Sequence, residues 1–158
     1  TRLTRRAMRA VIERLGGEPA DCLAGLVAES ERQGFRFVRR LVEEWRSGAN
    51  RFDRPGEVLF AARSGDDVIG VWGLNVDPYA QNPRTGRVRH LYVLALHRRA
   101  GVGEQLVADI IETAGSRFSR LHLHTTSTAA ARLYERLGFR PTLGAPHHSH
   151  ALELEDPA

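Results

Sequence analysis

The sequence predicts an α+β fold, a mixed sheet with helices on both faces. Three observations carry that expectation. Apolar residues recur at helical spacing in two stretches near the N-terminus and in a longer one after residue 101. Short alternating runs bounded by Gly, Pro and Asp fill the middle and the end of the chain. Their order is a strand, two helices, an antiparallel meander, a strand–helix–strand unit, a short helix and a terminal hairpin. A sheet covered on both faces satisfies it.

Residues 8 to 14, with Met8, Val11 and Ile12, read as a first strand. Asp21 is placed to cap a helix carrying Leu23, Leu26 and Val27, and Gly34 interrupts it. A second helix shows Phe35, Val38, Leu41, Val42 and Trp45 on one face and ends near Gly48. Glu57 to Arg63 and Val68 to Asn75 are strands joined by the turn Ser64-Gly65-Asp66-Asp67. A polar loop, Asp77 to Gly86, leads to a third strand, Arg87 to Ala95. A helix follows with Leu106, Val107, Ile110, Ile111 and Ala114 in register, and Gly115 stops it. Arg120 to Thr125 is a strand, 128 to 137 a helix punctuated by Gly138, and 139–142 with 148–154 a closing hairpin.

At 158 residues one domain is expected, spanning 1–158. Such a domain buries roughly 70% of its unfolded surface and folds without staples. All 23 basic residues are arginines, for a net charge of +4. A modest positive excess suits small anionic ligands; the arginines are dispersed and aromatics make up 7%, which argues against a nucleic-acid binder. Cys22 stands alone, so an intrachain disulfide and a cysteine-based zinc site are excluded. No apolar stretch is long enough for a bilayer span and no signal-peptide pattern opens the sequence, so the expected location is cytoplasmic.

The chemistry concentrates in "HRRAGVGEQL", residues 97 to 106. A strand ends before it and a helix begins within it. The first N–H groups of a helix have no intrahelical partner and carry the positive end of its dipole, and glycines let an anion approach the backbone. This is an anion seat. The nucleotide P-loop requires a Lys that the chain lacks, and the dinucleotide pattern requires a glycine where Leu106 stands.

What remains, Arg98-x-x-Gly101-x-Gly103, resembles the acetyl-coenzyme A motif of the GCN5-related N-acetyltransferase (GNAT) superfamily. "TTSTAAARLYERLGF", residues 125 to 139, resembles that family's second signature, and "LYV" at 91 to 93 resembles its pantetheine-pairing strand. The resemblance covers roughly residues 55 to 155 in order and spacing. It implies a three-layer α/β/α sandwich around a mostly antiparallel, splayed sheet of six to seven strands. It also implies an acetyl-CoA-dependent N-acetyltransferase, with acetyl-CoA as cosubstrate and no metal.

Carried onto this sequence, the pyrophosphate seat is the backbone of Arg99, Ala100, Gly101, Val102, Gly103 and Glu104, with Arg98 opening the motif. Leu91, Tyr92 and Val93 pair with pantetheine, and a backbone N–H near Val93 faces the oxyanion. Tyr134 donates a proton to the departing thiolate. Ser127 stands where the family often has Asn, a shorter reach toward the cofactor. His122 is the first candidate for the base that takes the amine proton, with His90 next and His124 and His150 after. His147 and His148 fall near the acceptor mouth. Asn75, Asp77 and Tyr79 read equally as holders of a cationic acceptor and as an ordinary Asp-Pro turn. The partners implied are a small-molecule or peptide amine acceptor and a second copy of the chain as a homodimer; nucleic acid and membrane are not expected. A non-catalytic acyl-CoA-binding regulatory domain of the same fold is the competing reading, which retention of Tyr134 disfavours.

Overall fold

The computed structural model describes residues 10–17, 19 and 21–154. One seven-stranded sheet runs through it, in the order β1-β2-β3-β4-β5-β7-β6. The strands are β1 (Val11–Arg14), β2 (Val58–Ser64), β3 (Asp67–Val76), β4 (Thr85–Val93), β5 (Arg120–Leu123), β6 (Arg140–Pro141) and β7 (His150–Glu153). Every pairing is antiparallel except β4 with β5. Helices α1 (Ala24–Arg32) and α2 (Phe37–Ser47) cover one face, and α3 (Val102–Ala114) and α4 (Thr128–Arg136) cover the other. The mixed, mostly antiparallel sheet with helices on both faces is the architecture the sequence predicts.

Two cores explain the alternation along the strands. In β2, Val58 and Ala62 turn toward Leu106, Ile110 and Phe118, while Leu59 and Ala61 turn toward Leu26, Val38 and Leu41. Each fully buried side chain of this size contributes about 1.5–3 kcal/mol. One slip of register would exchange the two sets, so the pattern fixes the pairing.

Several boundaries move. The first strand is seen as Val11–Arg14, and Met8 lies outside the described residues. Asp21 is not the cap of α1: Leu23 holds that position with no side-chain bond, and Asp21 offers only its carbonyl to Ala24 N–H at 3.4 Å. A turn from Pro19 O to Leu23 N–H at 2.9 Å sets that entry, and Leu23 is needed in the core. Phe35 precedes α2 and is exposed, because Gly34 (φ +85°) turns the chain before the helix starts. Gly48 closes α2 in the left-handed conformation.

The strand expected over 87–95 begins at Thr85 instead. Asp77 N–H reaches Thr85 O at 2.9 Å and draws the loop end into the ladder, while Ala95–His97 tightens into a 3₁₀ turn. Strand β5 stops at Leu123, since its ladder to β7 ends at the Leu123–His150 pair.

Candidate active site

The sheet opens at one place. Strands β4 and β5 are paired at Thr85–Arg120, Gly86–Leu121 and Arg87–His122, and no further. From Val88 onward β4 has β3 on one side and a gap on the other. Leu94 N–H donates to Ile69 O at 2.9 Å, so that pair is hydrogen-bonded. Antiparallel ladders alternate, so the neighbouring residue Val93 turns its N–H and C=O away from β3, into the gap. By the same alternation Leu91 faces the gap and the Tyr92 backbone faces β3.

A bulge adjusts which side chains flank this gap. Gly73 pairs with Arg89 and Val71 with Tyr92, so His90 and Leu91 together oppose Trp72. His90 adopts φ +64°, the left-handed region. Its ring therefore joins Phe37 and Phe52 on the α1/α2 face, at centroid distances of 6.4 and 6.5 Å, while Leu91 packs toward α3.

Beyond the gap lies the anion seat. Arg99 (φ +68°) and Gly101 (φ +80°) both take left-handed conformations, and Gly101 caps α3. The first carbonyl bond of the helix runs from Gln105 N–H to Gly101 O at 3.0 Å. Among the described residues, the backbone N–H groups of Arg99 through Glu104 donate to no protein acceptor. They form a cluster of orphan donors at the positive end of a 13-residue helix. The glycine at 103 has another use: a Cβ there would lie 3.3 Å from the Leu133 side chain, so it sets how closely α4 approaches α3.

The Arg98 side chain points backward from this seat. Its Nε donates to Val93 O at 2.9 Å, its Nη2 to Gln33 Oε1 at 3.0 Å, and its guanidinium lies 5.2 Å from the Tyr92 ring centre. Tyr92 Oη donates to Glu29 Oε2 at 2.5 Å, and Ala95 N–H reaches the same oxygen at 3.1 Å. Burial and the Glu29 contact push the Tyr92 phenol up to about 12. Arg98 thus ties the end of β4 and the start of the anion loop to α1. The sequence motif marks Arg98, but nothing in the sequence pairs it with Glu29 or Gln33, which lie some 65 residues away.

Tyr134 sits on the opposite face of the sheet from α1. Its ring stacks on Trp72 at 6.1 Å and meets Phe139 edge-on at 5.8 Å. It is 7% exposed, and its hydroxyl makes no hydrogen bond among the described residues. Burial pushes the phenol above its ordinary value. Ser127 caps α4, its Oγ accepting from Ala130 N–H at 3.2 Å. The Ser127 O–H hydrogen remains available to donate.

His122 lies on the α1/α2 face, at the last rung before the gap. Its Nδ1 is 2.6 Å from the buried Asp77 carboxylate, its Nε2 accepts from Arg120 Nε at 2.7 Å, and its ring stacks on His148 at 3.8 Å. Because Arg120 can only donate, Nε2 carries no proton and Nδ1–H donates to Asp77. Arg120 is held in turn by Glu153. His148 is pushed below its ordinary value by burial, then by His122 and Arg120 nearby. His124 is exposed beyond the strand, and His150 is buried with Nδ1 on Ser149 Oγ at 2.8 Å. Asn75 and Asp77, read from the sequence as possible holders of a cation, are engaged internally. Asn75 exchanges amide hydrogen bonds with Asn50 and donates to Glu57, and Asp77 serves His122 and Tyr79 N–H.

The sequence profile described as "Acetyltransferase (GNAT) family" matches residues 25–139, which takes in the gap, the anion seat and the Tyr134 helix. The chain belongs to the GNAT acetyltransferase family. It is 33% identical over 98 residues to the uncharacterized N-acetyltransferase YsnE of Bacillus subtilis (strain 168), a match spanning 59% of this chain and 62% of that relative. The crystal structure of a protein from Exiguobacterium sp. 255-15, whose assignment as an acetyltransferase is provisional, superposes with a TM-score of 0.82 at 29% identity, covering 92% of this chain and 94% of that one. The N-acetylglutamate synthase of Neisseria gonorrhoeae, solved with coenzyme A and N-acetylglutamate, shares the fold at 20% identity and a TM-score of 0.70, covering 93% of this chain and 35% of that one. No helix among the described residues is long and apolar enough to cross a membrane.

Two outcomes follow from this GNAT site. If the orphan amides seat coenzyme A, replacing Arg98 by Ala should loosen the loop that carries them and weaken that binding about tenfold, the worth of one charged hydrogen bond. Calorimetric titration reads this, and unchanged affinity contradicts the clamp. His90 is the second case. Burial, reinforced by Arg89 and Arg40, lowers it to about 3, so it folds neutral. The unfolded chain binds its proton below about pH 6.5, so stability falls on acidification from there toward pH 3, by up to about 1.4 kcal/mol per pH unit from this group. Urea unfolding at pH 7.5, 6.5 and 5.5 should show His90→Leu lacking that part of the acid limb; parallel curves for both proteins contradict it.

Proposed function

We propose that this GNAT protein transfers acetyl from acetyl-CoA to a primary amine by direct attack. The observation that carries this reading is the continuity of three features. Orphan amides at the start of α3 and gap-facing amides of Leu91 and Val93 follow one another along the open edge of β4, and the α4 phenol stacks on Trp72, the residue opposite His90 and Leu91. The residues present fit the cosubstrate. A diphosphate suits the N–H groups of Arg99 to Glu104, and an extended amide chain suits a strand edge with unpaired backbone.

The thioester supplies an activated acyl carbon and a thiolate leaving group. The chain's residues do the rest. The Val93 N–H, turned into the gap, is placed to donate to the carbonyl oxygen as negative charge grows on it. Tyr134 holds its proton throughout the neutral range, since burial raises an already weak acid, and is assigned as the uncharged O–H donor to sulfur. The stack on Trp72 restricts the ring, so the donor direction is set before reaction. His122 is assigned the amine proton at Nε2, with Asp77 holding Nδ1–H and the ring orientation. Arg120 occupies that Nε2, so base action includes exchange of its N–H for the acceptor's.

Release of thiol from acetyl-CoA, screened across amine classes, tests the reading. In the same assay Tyr134→Phe should lower kcat about 10²-fold while leaving coenzyme A affinity within error. Unchanged turnover with retained affinity removes Tyr134 from the donor role.

A further inference from the structure

Two arginines stand beside the gap without a contact ion pair among the described residues. Val88 points into the α3 core, so its neighbours Arg87 and Arg89 lie together on the opposite face, the face of His90 and His122. Neither forms an ion pair among the described residues. Arg87 Nη2 donates to His147 O at 2.8 Å, and its guanidinium lies 5.1 Å from the Tyr79 ring centre, with Tyr79 stacked on His147 at 4.0 Å. Its Nη1 is buried with no partner at all. Burial pulls this guanidinium below its ordinary value and Arg89 adds to that, against the opposing pull of Asp77. Arg89 lines an open pocket of about 280 Å³ whose wall carries Arg51 and Arg54 as well as Glu44, Asp53 and Glu57.

The nearby carboxylates direct their oxygens at other hydrogen-bond donors, although Asp77 still acts on Arg87 through its charge. Asp77 serves His122 and Tyr79 N–H. Glu57 spends both oxygens on Arg54 N–H, Asn75 Nδ2 and Val76 N–H. Glu44 and Asp53, on the pocket wall, pair with neither arginine. A buried guanidinium N–H without an acceptor is costly, and two like charges two residues apart on one strand face add to that cost. A bound anion would relieve both costs, and a guanidinium fork matches a carboxylate in two-point geometry.

We infer that Arg87 and Arg89 hold the carboxylate of the acceptor, so that the amine acetylated by this protein belongs to a small molecule that also carries a carboxyl group. The inference rests on the acetyl-transfer reading above. Arg87 stands at the last β4–β5 rung and Arg89 two residues further along the opening, about 7 Å short of Leu91 at strand rise. A carboxylate gripped there leaves an amine a few bonds away directed at the gap, beside His90 and His122.

The test is a set of matched acceptors: amino acids of graded side-chain size, their decarboxylated amines and their carboxamides. Each is measured for kcat/KM with acetyl-CoA in the natural protein and in Arg87→Gln and Arg89→Gln. The acids should lead their amides and amines by about 30-fold or more, and in each variant that ratio should collapse toward one through a raised KM. Coenzyme A affinity and melting temperature are followed in parallel to show that the variants fold. Equal rates on acid and amide, or a preference that survives both substitutions, overturns the inference while leaving acetyl transfer standing. Failure of every amine to release thiol overturns the acetyl-transfer reading instead. In that case titration of the amino acids into protein saturated with coenzyme A decides the carboxylate site: saturable binding lost in Arg87→Gln upholds it, and no binding overturns it.

Discussion

Strands β4 and β5 share three rungs and then part, and each element of the site takes its position from that parting. At the closed end, Gly86 is pressed by Leu121 and Phe118, whose side chains would lie within about 3 Å of a Cβ there. That contact holds the two parallel strands together. Past His122, β5 continues beside β7 while β4 remains with β3. Unpaired backbone in a sheet interior is normally a defect, because each buried N–H and C=O needs a partner. Here the open edge runs directly toward the orphan amides at the start of α3.

The two faces of that opening are divided by the bulge at His90. One extra residue in β4 keeps Arg89 and His90 on the same side, with Arg87, and sends Leu91 to the other. The α1/α2 face therefore collects the charged and imidazole groups, while the α3/α4 face carries Tyr134 on Trp72. Tyr134 and His122 consequently stand on opposite faces of the sheet. The Arg98–Tyr92–Glu29–Gln33 clamp links the first helix to the anion loop, so both faces meet the same rigid strand end.

Much of this was legible in the chain. Glycine at 101 and 103 after an apolar run marked the helix N-terminus, and the Leu133-Tyr134…Gly138-Phe139 spacing marked the second helix of the site. Periodicity placed Val38, Leu41, Leu106 and Ile110 in the core because burial on one helical face leaves a local signature. What escaped was set by distance in sequence. The Asp77–His122 contact joins residues 45 apart, and the Arg98–Gln33 bond joins residues 65 apart. Neither has a local pattern. Asp21 resembled a cap by type, yet a turn from Pro19 and the burial of Leu23 decided where α1 begins. Arg87 and Arg89 carry no local signal beyond their place in a strand; the groups around them are set by the tertiary structure.

On the proposed function, the β4–β5 opening and the α3 N-terminus form one continuous seat for the cosubstrate. Amide hydrogen exchange, resolved by residue in the absence and presence of coenzyme A, tests it most directly. The ligand should slow exchange at Leu91 and Val93 and across Arg99 to Glu104, and leave the solvent edge at β1 unchanged. Slowing confined to other surfaces, with those amides exchanging as fast as before, would contradict it.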